Sequence, residues 1–495
     1  MRDKIKSLSK DTLIYGTSTV IQRFLAFILV PLYTNTFLPA EFGIISNLFA
    51  YIAILNVFFS IGFESGYFKF ASSLELGSKK ENFSLPFISV FVNSLILSSI
   101  IFFLPYTIAP VFQLDAAHAP LLRYASLILF FDAVVLIPFA YLRLHRRAKQ
   151  FGLLKVISIT INIGLNIILI FVLKWGTEAV FISNAIASGV TFLIFIPLIL
   201  KNVSFTFNKE LYKEMLRFSL PIIPAGIGAS FVQVIDRPIL TYLTDDTTVG
   251  IYQANYRLGI LMMLFVSIYE FAWRPFFLQT AKEANAKQIF SKIMTLFIFA
   301  MCVIFLFLSF YLENIIKIPM PFRGYLIGKS YWSGIGIVPI VLAGYLMYGI
   351  YVNLMAGIYI EKKTKYLPLI TGIGAAVNVA VNFALIPKFG MTGAAYATLV
   401  SYFAMMVGIY ITSSKFYKID YEFSKIYLIA FSTIATFAIY SFTAGTVLHE
   451  WYFKFVYLVL FFVLIFAFKI VTLKDIKSLR GIKKPAKQIV PDELQ

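Results

Sequence analysis

Residues 151–176, FGLLKVISITINIGLNIILIFVLKWG, return 214–216 positions later as residues 366–390, YLPLITGIGAAVNVAVNFALIPKFG. In both copies two asparagines stand four apart (Asn162 and Asn166, Asn378 and Asn382), and a Lys-aromatic-Gly triplet closes the apolar run (Lys174-Trp175-Gly176, Lys388-Phe389-Gly390). Each run is about 20 residues, the length a helix needs to cross a hydrocarbon layer about 30 Å thick. No water satisfies the backbone inside such a layer, so the run must be helical. A second pair lies earlier in each half: residues 31–43, PLYTNTFLPAEFG, match residues 238–250, PILTYLTDDTTVG, at an offset of 207.

Outward from these blocks the chain reads as a succession of similar runs, at about 12–37, 42–68, 85–108, 120–142, 152–173, 178–200, 216–243, 248–273, 290–316, 334–360, 366–387, 391–413, 425–446 and 452–471. The composition agrees, with 60% hydrophobic and 14% charged residues. The expected fold is an all-α polytopic membrane protein of about fourteen transmembrane helices. The repeat divides it into an N-lobe (1–208, six helices), a C-lobe (209–415, six helices), two extra helices (416–474) and a basic tail (475–495). Each repeat begins and ends on the same membrane side, so the copies are parallel and related by an axis along the membrane normal. That symmetry predicts a cavity between the lobes, reached from alternate sides as they rock.

Lys and Arg are distributed with the topology. Of 43, 33 fall on the side of the amino terminus and 7 on the other, which places both termini in the cytoplasm. The net charge of +19 therefore reports orientation and contact with anionic lipid head groups, not nucleic-acid binding. The apolar part of the first run, Leu13–Phe37, is longer than a signal-peptide core and no small-residue cleavage site follows it. The lone cysteine, Cys302, and three histidines at span ends or in loops supply no metal cluster and no catalytic group at membrane depth.

Charge inside a span is costly and marks function. Arg23 lies near the middle of helix 1, Arg257 about nine residues into helix 8 and Arg237 beside Asp236 in the outer half of helix 7. Helical spacing groups Gly16 and Thr19 with Arg23, Gly226 and Gln233 with Asp236 and Arg237, and Gly250 and Gln253 with Arg257. An arginine fork holds phosphate oxygens bidentately and stays charged at any physiological pH. The candidate diphosphate and sugar cavity is therefore Arg23, Arg237 and Arg257 with Gln22, Gln233, Gln253 and Asn255. Asp132, Asp236, Glu64 and Glu270 are the candidates for ion coupling, Glu270 also being spaced to pair with Arg274. The asparagine pairs are expected to hydrogen-bond between helices. Arg143–Lys149 reads as an orientation signal.

Two blocks carry a family resemblance. The first runs from Lys10-Asp11-Thr12-Leu13-Ile14-Tyr15-Gly16 through Gln22-Arg23-Phe24 to Pro31-Leu32-Tyr33-Thr34 and Pro39-Ala40-Glu41-Phe42-Gly43. The second holds Phe218-Ser219-Leu220-Pro221-Ile222-Ile223-Pro224, Asp236-Arg237-Pro238-Ile239-Leu240 and Val249-Gly250-Ile251-Tyr252. They resemble the O-antigen-type polysaccharide repeat-unit flippases of the multidrug/oligosaccharidyl-lipid/polysaccharide exporter superfamily. The resemblance implies a V-shaped pair of six-helix lobes moving polyprenyl-diphosphate-linked oligosaccharide to the periplasmic leaflet of the bacterial cytoplasmic membrane, with polysaccharide polymerase and chain-length machinery downstream. Helices 13 and 14 are similar to those of the lipid II flippase branch, where they help line a lipid-tail groove. No bound cofactor and no nucleotide motif is expected, so the drive is an ion gradient (H+ or Na+), the membrane potential or consumption of the product. Two other classes fit the residues less well. A cation-coupled multidrug exporter would want cavity carboxylates rather than arginines. A membrane glycosyltransferase or polymerase would want catalytic groups on a sizeable outer loop, and the longest, 317–333, has no acidic or histidine cluster.

Overall fold

The computed structural model describes residues 24–25, 27–320 and 324–468. Its elements are helices, and twelve of those in the described residues are long and apolar enough to cross a membrane. Numbered in chain order after a first helix that includes residues 27–36 (α1), they are α2 (Pro39–Ser73), α3 (Lys79–Phe103), α4 (Leu121–Leu144), α5 (Ala148–Val172), α6 (Glu178–Asn202), α7 (Lys209–Val234), α8 (Asp246–Thr280), α9 (Ala286–Ile316), α10 (Lys329–Ile360), α11 (Tyr366–Phe389), α12 (Met391–Phe416) and α13 (Phe423–Phe442). A shorter apolar helix, α14 (Lys454–Ala467), closes the series. Every apolar run expected after the first has its helix. The amino-terminal half of helix 1, with Gln22 and Arg23, and the basic tail lie outside the described residues.

Local chemistry sets the boundaries. At the start of α3, Ser78 accepts a bond from the Glu81 amide and Glu81 accepts one from the Ser78 amide, a reciprocal capping box. Asn208 caps α7 and Asp245 caps α8 through the Thr248 amide at 2.9 Å. Pro39 occupies the first turn of α2, where a missing N–H costs nothing. Midway, α2 is broken at Ile61 and Gly62, with φ of 50° and 66°. A β-branched residue is strained at such an angle, so the break is imposed by packing rather than by preference.

The chain forms two compact units, residues 1–284 with 313–418, and residues 285–312 with 419–495. In the larger unit α10 and α11 pack on α12, α7 on α11, α3 on α4, and α2 on α8. The smaller is built on α9, α13 and α14. Ser291 Oγ donates to the Asp420 carbonyl at 2.8 Å, Thr295 Oγ1 to Glu422 Oε2 at 2.8 Å, and Tyr440 Oη to the Phe310 carbonyl at 3.2 Å. The rings of Phe310 and Tyr440 lie 4.4 Å apart and those of Phe299 and Phe461 6.1 Å.

The repeat has a structural counterpart at the asparagine pairs. Asn166 Nδ2 donates to the Asn162 carbonyl at 2.8 Å, and Asn382 Nδ2 to the Asn378 carbonyl at 2.8 Å. These bonds run along each helix. A bond between helices is found at one copy, where Tyr33 Oη donates to Asn166 Oδ1 at 2.9 Å.

Candidate functional site

The larger unit contains a partly open cavity of about 1030 Å³ between helices of the two repeats. Its N-lobe wall comes from α1, α2, α4, α5 and α6, and its C-lobe wall from Ile222, Ile223, Gly226 and Ser230 of α7 and Arg257 and Ile260 of α8. The wall is mostly apolar, with a few convergent polar and charged groups, the usual composition of a binding site.

Two helix crossings bracket this hollow, and both depend on glycine. Near the start of α2, a Cβ on Gly43 would lie 1.8 Å from the backbone oxygen of Asp246, and one on Gly250 would lie 1.9 Å from that of Pro39. These glycines are the aligned ends of the 31–43 and 238–250 blocks, so the two copies meet each other at equivalent positions. The second crossing, past the break in α2, sets Gly62 and Gly66 against Ser219 of α7. Small residues let helix backbones approach closely in a membrane.

Above the first crossing, on the face with few basic residues, the segment before α10 and its first turn tie the lobes together. Asn35 Nδ2 donates to the Tyr325 carbonyl at 2.6 Å and the Gly328 amide donates to Thr34 Oγ1 at 3.1 Å. Tyr331 Oη donates to the Phe37 carbonyl at 2.9 Å, while Asn255 Nδ2 of α8 donates to the Tyr331 carbonyl at 2.8 Å. Asn255, expected in the cavity, is fully buried in this clasp.

Among the described residues of the expected arginine set, Arg257 lines the hollow and Arg237 does not. Its guanidinium lies 5.5 Å from the Phe42 ring, directly beneath the first crossing, and no carboxylate stands within ion-pair distance among the described residues. The helix tightens to a 3-10 turn at Arg257–Gly259, a local geometry common at functional bends.

Arg237 is placed otherwise than its spacing suggested. The α7 path continues through Ile235, whose backbone stays helical, into Asp236–Leu243, but the stripe drawn from Gly226 through Gln233 to Arg237 does not share one environment. Gly226 lines the cavity, whereas Asp236 and Arg237 turn into the C-lobe, 2% and 5% exposed. There Arg237 pairs with Asp236 at 2.8 Å, donates through Nε to Gln253 Oε1 at 2.9 Å and through Nη1 to the Gln233 carbonyl, and stacks 4.5 Å from the Tyr256 ring. Tyr252 Oη donates to the other Asp236 oxygen at 2.5 Å. Buried Asp236 and Arg237, half-buried Gln253 and the backbone carbonyl of exposed Gln233 thus form one network away from the cavity lining.

That network predicts a sharp stability effect. Asp236→Asn leaves a buried guanidinium uncompensated, a loss of about 3–5 kcal/mol, whereas a well-packed apolar pair in place of both charges is close to neutral. Melting curves in detergent should therefore show Asp236→Asn far less stable than the double replacement Asp236→Leu with Arg237→Met.

The other acids separate by position. Glu64, just past the break in α2, lines the cavity and pairs with Arg143 at the end of α4. The Arg143 guanidinium also lies 4.9 Å from the Phe68 ring. Asp132 lines the cavity and accepts from Ser188 Oγ at 2.6 Å. Glu270 pairs with Arg274 at 2.5 Å, the local i,i+4 pair that spacing suggested, and is not part of the lining. Two cavity cations, Arg143 and Lys155, escaped the reading of the sequence because they sit beside the basic loop. The available signal was depth: Lys155 is seven residues into α5, about 10 Å along a helix axis.

The profile of the family described as "Polysaccharide biosynthesis protein" matches residues 8–281. Among solved structures, the lipid II flippase MurJ in an inward closed conformation superposes with a TM-score of 0.74 at 17% identity, over 94% of this chain and 100% of that one. An inward-facing multidrug resistance MATE family transporter of the MOP superfamily gives 0.59 at 15%, over 82% and 97%. The Vibrio cholerae MATE transporter VcmN gives 0.57 at 13%, over 83% and 97%. At these identities the likeness establishes the fold, which is that of MurJ and the MATE transporters. No curated protein sequence matches.

Proposed function

We propose that this chain, which belongs to the polysaccharide biosynthesis protein family, is a flippase that carries polyprenyl-diphosphate-linked oligosaccharide from the cytoplasmic to the outer leaflet of a bacterial cytoplasmic membrane. One observation carries the reading: the Arg257 guanidinium faces a large inter-lobe cavity at membrane depth, with no carboxylate partner among the described residues. An uncompensated charge in such a place is expensive and persists where an anion is to be received. Unaided crossing would expose several hydroxyls and about two negative charges to hydrocarbon, each costing several kcal/mol. A cavity that hydrates the sugars and offers Arg257 to the diphosphate removes most of that barrier while the prenyl tail stays in lipid. In this reading the basic face is cytoplasmic, and the lobes alternate by parting at one crossing while meeting at the other.

Coupling to an ion gradient is assigned to Asp132, the cavity acid that has no ion pair among the described residues. A polymerase that consumes the delivered repeat unit would pull the cycle in the same direction. Superposition on MurJ along its whole length favours a second cargo, a lipid II-type peptidoglycan precursor. Both cargoes present the same diphosphate and differ in the sugar part.

Deletion of the gene, with mass spectrometry of the accumulated lipid-linked intermediates and assignment of their leaflet, decides between them. A repeat-unit lipid trapped on the cytoplasmic leaflet is expected. A trapped peptidoglycan precursor would select the second cargo, and unchanged pools of both would refute the function.

A further inference from the structure

We propose that Arg143 and Lys155 form a second anion station at the cytoplasmic end of the cavity, where the diphosphate of an arriving lipid-linked cargo is held before it reaches Arg257, with Glu64 as the counter-ion it displaces. This rests on the function proposed above and assigns that site a receiving end.

Among the described residues, four charged side chains line this part of the hollow: Glu64, Asp132, Arg143 and Lys155. Arg143 is engaged by Glu64. Asp132 is satisfied by Ser188 at 2.6 Å and interacts electrostatically with Lys155, but no carboxylate stands within ion-pair distance of the Lys155 ammonium among the described residues. The ammonium instead lies 4.3 Å from the Phe139 ring. Lys155 and Arg143 both line the hollow. Two like charges beside a cavity are stable when an anion stands between them.

With its own carboxylates in place the station is neutral, two cations against two acids. An arriving diphosphate brings about two negative charges and more acceptor oxygens than a carboxylate offers, so it can take Arg143 bidentately and Lys155 as a point charge. The released Glu64 then stands near an anion and favours its onward movement to Arg257. Exchange of counter-ions keeps the station from holding cargo too tightly, as any transit site must.

The test uses the full-length protein in phosphatidylcholine nanodiscs, with a polyprenyl diphosphate and inorganic pyrophosphate as separate probes. Lys155→Gln is expected to weaken both by about tenfold, the scale of one charge-assisted hydrogen bond. Glu64→Gln is expected to tighten both several-fold by removing the carboxylate that competes with the anion for Arg143, a gain that misfolding cannot imitate. Wild-type binding that Arg257→Gln weakens and the other two variants leave unchanged would overturn the station while leaving the flippase standing. Changes confined to pyrophosphate would assign the site to a free anion and also overturn it. Failure of the wild type to bind either probe would take down the flippase reading itself.

Discussion

Arg257→Ala is expected to lower the flipping rate of lipid-linked oligosaccharide in reconstituted vesicles by about a hundredfold or more while leaving the fold intact. The magnitude follows from what the guanidinium replaces. A diphosphate that leaves water for a cavity of low dielectric loses its hydration, and one bidentate charge-assisted contact returns about 3 kcal/mol or more. At 1.4 kcal/mol per factor of ten, that is about two orders of magnitude. The intact fold follows from geometry: Arg257 makes no ion pair among the described residues, so its loss strands no buried carboxylate of theirs. Arg257→Lys keeps the charge and loses the fork, so it should fall between, roughly tenfold down. The rate from single-turnover vesicle assays and the melting curve must be read together. An unchanged rate would remove Arg257 from the site, and a collapsed melting curve would make it a structural residue.

The contrast between Arg257 and Arg237 shows what the sequence could carry. Both are cations inside apolar runs, and cost alone marks both. What spacing could not convey was that side chains of α8 close over Asp236 and Arg237 and bury them. The pairing of Arg237 with adjacent Asp236 was visible as a possibility of composition, but Tyr252, Tyr256 and Gln253 complete the network from another helix. The helices were legible because hydrocarbon thickness dictates run length. Lys155 was hidden by the opposite effect, since near the basic face a cation is expected for topological reasons and one that turns inward looks the same. Gly43 and Gly250 were legible as aligned repeat positions, while their contact with each other's helix required the fold.

That contact supports the last expectation. Gly43→Ala should open the seal on the outer side of the cavity and raise, by tenfold or more, the labelling of a cavity cysteine by a membrane-impermeant maleimide added outside. Ser230 of α7 lines the hollow and serves as the reporter, in a Cys302→Ala background that removes the one native thiol. A methyl at Gly43 would sit 1.8 Å from the Asp246 carbonyl oxygen, and backbone rather than a flexible side chain stands in the way. The helices α2 and α8 must therefore separate, because close-packed interiors cannot absorb an overlap of that size. Gly250→Ala should act alike, its Cβ meeting the Pro39 carbonyl from the equivalent position. Asn35→Ala removes two side-chain bonds to the Tyr325 backbone in the clasp above the crossing; exposed bonds contribute about 1 kcal/mol net or less each, so a rise below that of the glycine variants is expected. The order matters more than either value. The glycine variants should exceed Asn35→Ala, because the crossing is a steric seal and the clasp a set of separable hydrogen bonds. Equal or slower labelling of Gly43→Ala, in protein that still melts cooperatively, would show that the cavity is closed elsewhere.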